Sequence, residues 1–151
     1  NNSIKGTTRG MTIYSANEMD FRNNIFQSST QHALYVDFGT SATNLVIDYN
    51  IYHAGGSSVA YWGSATYATL AAWQTAAPTQ NVNSLVGNPG FLSATDLHIV
   101  GVLPNDVGDN SVPVVIDIDG DARPATGSTT KDIPAGGCLT IMARGTSWYI
   151  M

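Results

Sequence analysis

The residues best suited to do chemistry in this chain are a run of alternating carboxylates, Asp117-Ile118-Asp119-Gly120-Asp121. Hard cations such as Ca²⁺ take several oxygen ligands, and carboxylates at alternate positions of a tight turn converge on one ion, so Asp117, Asp119 and Asp121 are candidate metal ligands. The run is not an EF-hand: its glycine stands fourth rather than sixth, and Ser128 occupies the twelfth position. A second reading stands beside the first. Asp119-Gly120 is a tight-turn signal, with Asp117 and Asp121 bonding local backbone amides or Arg123. Ca²⁺ is the one cofactor for which the sequence offers ligands.

Acid–base chemistry on a glycosidic bond needs two carboxyl groups across it, and elimination needs a base with charge neutralisation. In the first half of the chain the aspartates are Asp20, Asp37 and Asp48. Asp37 is a weak candidate for a catalytic acid because it stands alone, whereas Asp48 is expected to form an outward ion pair with Arg22. Lys5 and Arg9 supply cationic charge nearby, suited to an anion or simply to a solvated surface. His32, His53 and His98 lack metal-ligand spacing, and no histidine neighbours the single Cys138 in a nucleophile motif. Aromatics offer a different chemistry: Tyr49, Tyr52, Tyr61, Trp62 and Tyr67 cluster in sequence, and sugar rings stack on aromatic faces. Tyr61 and Trp62 are adjacent, so in an extended strand one of them faces outward. This pair is the candidate carbohydrate contact.

The elements that must position these residues follow from composition and periodicity. Of 151 residues 43% are hydrophobic and only 11% charged, which excludes a disordered chain and suits one domain's worth of core. The net charge of −5 argues against a nucleic-acid or anionic-lipid footprint. No run approaches the roughly 18 consecutive apolar residues of a membrane-spanning helix, so neither nucleic acid nor membrane insertion is expected among the partners. The opening residues carry no secretory leader pattern. Before residue 60 short alternating apolar runs are bounded by Asn, Gly and Ser, which predicts strands.

Those strands repeat. Asn2-Ser3-Ile4, Asn24-Ile25-Phe26 and Asn50-Ile51-Tyr52 recur at offsets of 22 and 26 residues, and a period in the twenties means a solenoid. At the second offset Met19, Phe21, Ile25 and Phe26 fall on Leu45, Ile47, Ile51 and Tyr52, while at an offset of 23 Met11 and Ile13 fall on Leu34 and Val36. Three short strands per unit, pairing in parallel with their copies about 4.8 Å away, would stack Asn24 on Asn50 as an asparagine ladder, each at an αL bend.

The strings Phe21-Arg22-Asn23-Asn24-Ile25-Phe26 and Ile47-Asp48-Tyr49-Asn50-Ile51-Tyr52 make the chain resemble the right-handed parallel β-helix, or pectin-lyase-like, superfamily. The expected fold is therefore all-β, a right-handed parallel β-helix of about three coils with a C-terminal cap. Coils are expected over 1–60, the cap over 61–133 and an atypical tail over 134–151. A short helix is predicted over 67–77, with Thr66 as N-cap, Leu70, Trp73 and Ala77 as its apolar stripe and Pro78 as stop. The stretch from Tyr67 to Pro124 resembles the C-terminal region that follows such coils in secreted bacterial β-helix proteins. Its landmarks are Leu70-Ala71-Ala72-Trp73-Gln74, Asn88-Pro89-Gly90-Phe91, Asp96-Leu97-His98-Ile99 and Asp117 to Pro124.

The resemblance implies a secreted or cell-surface location and a polysaccharide partner. Two functions follow: the closing part of a carbohydrate-binding or carbohydrate-cleaving β-helix protein, in which this piece is mainly structural, or a non-catalytic adhesion scaffold. The parent would be a polysaccharide lyase or glycoside hydrolase in the first case, although no complete acid–base set is visible here. Because the repeat starts in mid-phase at Asn1 without a covering unit, an upstream segment or self-association through the open first coil is expected.

Overall fold

The structure, a computed structural model, describes residues 2–14, 17–37, 44–104, 107–109 and 111–112, together with strands 141–144 and 147–150. The chain divides into two compact units, 1–112 and 113–151. The first contains strands β1 (Ser3–Gly6), β2 (Met11–Tyr14), β3 (Asp20–Arg22), β4 (Ile25–Ser28), β5 (Leu34–Asp37), β6 (Val46–Asp48), β7 (Ile51–Ala54), β8 (Ala60–Trp62) and β9 (Ala65–Tyr67). Helix α1 (Leu70–Ala76) and strand β10 (Leu85–Val86) follow. In the second unit β11 (Ile141–Arg144) and β12 (Ser147–Ile150) form an antiparallel hairpin.

The first unit is a solenoid-like β architecture of three sheets, ordered β1-β4-β7-β10, β2-β5-β8-β9 and β3-β6. Every strand pair in it is parallel except β8 with β9. Neighbours within a sheet come from successive passes of the chain, in the register the sequence offsets give: Ile25 opposite Ile51, Phe21 opposite Ile47, Ile13 opposite Val36. Alternation then sends one set of residues inward. Ile4, Phe26 and Tyr52 form one inward column, and Ile13, Val36 and Trp62 another. Phe26, Tyr52, Leu34, Val36 and Ile47 are fully buried. Each such side chain contributes about 1.5–3 kcal/mol of hydrophobic stabilisation.

A hydrogen-bonded column of asparagines runs along one corner. Asn2 Nδ2 donates to Asn24 Oδ1 at 3.1 Å, and Asn24 Nδ2 donates to Asn50 Oδ1 at 3.1 Å. Asn50 Nδ2 in turn donates to the Phe21 carbonyl, and Asn50 Oδ1 accepts the Asn24 backbone amide. Each amide thereby satisfies backbone groups that the bend takes out of the sheets. The column extends one step further than the asparagines do, because Ser84 Oγ accepts the Asn50 backbone amide across 34 residues. Ser84 precedes β10 as Asn50 precedes β7. The left-handed bend, expected at the column asparagines themselves, instead lies one residue earlier, at Asn23 (φ 61°) and Tyr49 (φ 53°). The column residue is then free to start the next strand, and its neighbour turns the corner. A second pair of left-handed residues, Glu18 and Asn44, turns the chain into β3 and β6.

The sheets continue beyond residue 60: β8 adds to the second sheet and β10 to the first, with β9 and α1 inserted between them. The helix begins later than predicted. Thr66 lies in β9 opposite Tyr61, and Thr69 is the N-cap, its side chain accepting the Ala72 amide at 3.2 Å. Pairing with β8 outcompetes capping at Thr66. Trp73 is fully buried against Tyr52 and Trp62, with ring centroids 5.4 and 5.5 Å apart, and Leu70 and Ala77 pack beside it. Gln80 finishes the third sheet. Its side-chain amide accepts from Ile47 N at 2.8 Å and donates to the Leu45 carbonyl at 2.9 Å, taking the place of a strand at the edge of β6.

Candidate ligand-contacting face

The outward positions of the second sheet bring together residues distant in sequence. In β2, β5 and β8 the alternation that buries Ile13, Leu34 and Val36 turns Thr12, Tyr14, Tyr35, Asp37 and Tyr61 outward, with Tyr35 paired to Tyr61 and Tyr14 to Asp37. The Tyr35 and Tyr61 rings are stacked, with centroids 4.3 Å apart and planes within 7°. Tyr14 lies 5.9 Å from Tyr35, tilted by 59°, and is 63% exposed. The Arg9 guanidinium sits 3.7 Å above the Tyr35 ring, a cation–π contact, and its Nε donates to Gln31 Oε1. His32 borders the stack, about equidistant from both rings, and its Nδ1 is 2.8 Å from Ser58 Oγ. Partial burial, reinforced by Arg9, holds the His32 pKa below the ordinary histidine value, and burial raises that of the Tyr35 phenol. Beside the Asp37 carboxylate and the Arg9 guanidinium, the face therefore presents neutral hydrogen-bonding groups: phenol hydroxyls and an uncharged imidazole.

Of the pair Tyr61 and Trp62, Tyr61 is the outward member, and Trp62 turns in to pack on Trp73. Tyr52 and Tyr67 of that sequence cluster do not join them. Tyr52 is buried, stacked 5.9 Å from Phe26, and Tyr67 packs against the core. Asp37 lies on the same outward face, beside Tyr14 in register. Asp117, Asp119 and Asp121 lie outside the described residues. Among the described residues, no group of three or more His, Cys, Asp or Glu side chains is placed to hold a metal ion.

The sequence pattern missed Tyr14 and Tyr35, and offered Arg9 for an anion rather than for the tyrosine ring it covers. Tyr35 was accessible to it, since the offset of 26 that relates Asn24 to Asn50 also relates Tyr35 to Tyr61.

Asp20, Asp48 and Asp109 serve structure. β3 and β6 do bring Arg22 opposite Asp48, but the expected ion pair does not form. Arg22 is held by Asp20 and by Asp109, the latter at 2.7 Å, which leaves Asp48 to accept from Asn83 N and Nδ2 and from Tyr49 N. Asn23 completes the contact, donating to the Asp109 carbonyl and accepting the Asp109 amide as a neighbouring strand would. The Asp20 carboxyl is held below its usual pKa chiefly by the Arg22 hydrogen bond; that of Asp109 is lowered first by Ser111 and then by Arg22. Comparison of the chain with family models, curated proteins and solved structures gives no match.

Proposed function

We propose that this chain is part of a right-handed parallel β-helix of the pectin-lyase-like kind, with about three coils, acting at the cell surface or in secretion on a polysaccharide. Its own part in that work is mainly structural. The observation that carries the carbohydrate reading is the outward Tyr35–Tyr61 stack, extended by Tyr14, on the exposed face of a rigid sheet. Exposed aromatic area combined with neutral hydroxyl donors is what sugar recognition uses, and a sheet fixes it without ordering cost on binding. In support of the architecture stand the parallel register and the asparagine column, which extends the ladder expected from the sequence.

A specific observation favours the scaffold reading over cleavage by this piece. Asp20, Asp48 and Asp109 are each engaged in hydrogen bonds that hold the fold, and glycoside hydrolysis needs two carboxyls facing one bond. The test is a pull-down of the purified chain on insoluble polysaccharides, with assay of soluble product. Retention without product release supports a binding scaffold. Product release lost in Asp37→Asn would establish catalysis here, and failure to bind any polysaccharide would overturn the carbohydrate reading in favour of an adhesion or purely structural role.

A further inference from the structure

We infer that the Tyr14–Tyr35–Tyr61 face with Asp37 is a binding strip for a neutral polysaccharide chain, one without carboxylate or sulfate groups. This rests on the carbohydrate reading above and adds the residues and the ligand class. The rings are not equivalent. Tyr35 has its two faces occupied, one by Tyr61 at 4.3 Å and the other by the Arg9 guanidinium at 3.7 Å. It therefore offers a ligand only its edge and hydroxyl. Tyr14, at the end of the row and 63% exposed, has ring surface to give, and it is the stacking platform. Tyr61 ends the stack on the other side and adds a second phenol. Together they form a row of aromatic surface and hydroxyls running across neighbouring strands, which suits an extended oligomer better than a single sugar.

Charge decides the ligand class. Among the described residues, the carboxylate on this outward face is Asp37, beside the Tyr14 platform, where it accepts hydrogen bonds from sugar hydroxyls and repels a uronate or sulfate. Arg9 would favour an anion, but its guanidinium plane lies on Tyr35 and its Nε is bonded to Gln31, which turns it toward the protein. His32, the other titratable base on this face, bonds Ser58, and its lowered pKa keeps it uncharged at neutral pH. The net charge of −5 adds long-range repulsion of polyanions.

Calorimetric titration of the full chain with cellohexaose, xylohexaose and mannohexaose, and with hexagalacturonate as the acidic comparison, tests this. At least one neutral hexasaccharide should bind, and hexagalacturonate should bind more weakly than it. Tyr14→Ala and Tyr61→Ala should each weaken the binding by about three- to tenfold, the range for losing one aromatic contact. Tyr14→Phe, which keeps the ring, should bind within about twofold of the parent. Asp37→Asn should narrow the gap between neutral and acidic ligands. Unchanged thermal melting of each variant separates a binding loss from misfolding. Neutral binding that survives both alanine variants would overturn the strip while leaving the carbohydrate reading intact. Preference for hexagalacturonate would overturn the neutral class, and no binding to any of the four would sink both readings together.

Discussion

At the scale of single residues, the amides of Asn24 and Asn50 hold the corner of the solenoid. Asn50 is almost completely buried and satisfies Asn24 N, Asn24 Nδ2 and the Phe21 carbonyl. Asn50→Ala would take that partner from Asn24 N and the Phe21 carbonyl, while Asn24 Nδ2 keeps its bond to the Arg22 carbonyl, at a cost of about 1–3 kcal/mol for each buried group that water cannot reach. We expect it to lower stability by ~3 kcal/mol in urea denaturation, with Asn2→Ala, at the exposed end of the column, costing less than ~1 kcal/mol. Equal losses at the two positions would show that the column is not cooperative. This corner was legible in the sequence because a solenoid gives the same residue the same environment on each pass. Arg9 was not, since its placement over Tyr35 follows no repeat, and neither was Asp109, which meets Arg22 across 87 residues.

Among the elements, strand pairing was more legible than the pieces inserted into it. Period-two alternation and the offset of 26 give β4 on β7 and β3 on β6, and both pair in that register. Strand β10 escaped because the last pass is 34 residues long, lengthened by β9 and α1, so that Leu85 does not fall at the established offset from Ile51. The helix start shifted because Thr66 and Thr69 are equal caps locally and only β8 distinguishes them. The segment 107–109 is tied to the end of β3 by Arg22 and Asn23 through Asp109, which makes its attachment dependent on pH. The Asp109 and Asp20 carboxyls both have lowered pKa values in the folded protein, so their stabilisation is complete above the ordinary carboxylate range and is lost as pH falls through the depressed values. Hydrogen exchange in 107–109 should therefore rise at low pH beyond the change in the intrinsic rate. Arg22→Gln should show the raised exchange already at pH 7. Exchange in that segment insensitive to both changes would show that it is held by other contacts.

For the molecule as a whole, successive passes of the chain stack in parallel and in register, so that inward columns make the core and outward columns make the tyrosine face. The offset of 26 residues that stacks Phe26 on Tyr52 in the first sheet also sets Tyr35 on Tyr61 in the second. The most direct test is the pattern of long-range nuclear Overhauser contacts among backbone protons in solution. Contacts should link residues 3–6 with 25–28, and 25–28 with 51–54, each in the same ascending order, with the side-chain amide protons of Asn24 and Asn50 close to one another. Contacts running in opposite order between 25–28 and 51–54, as in an antiparallel hairpin, would contradict the solenoid and the tyrosine face with it.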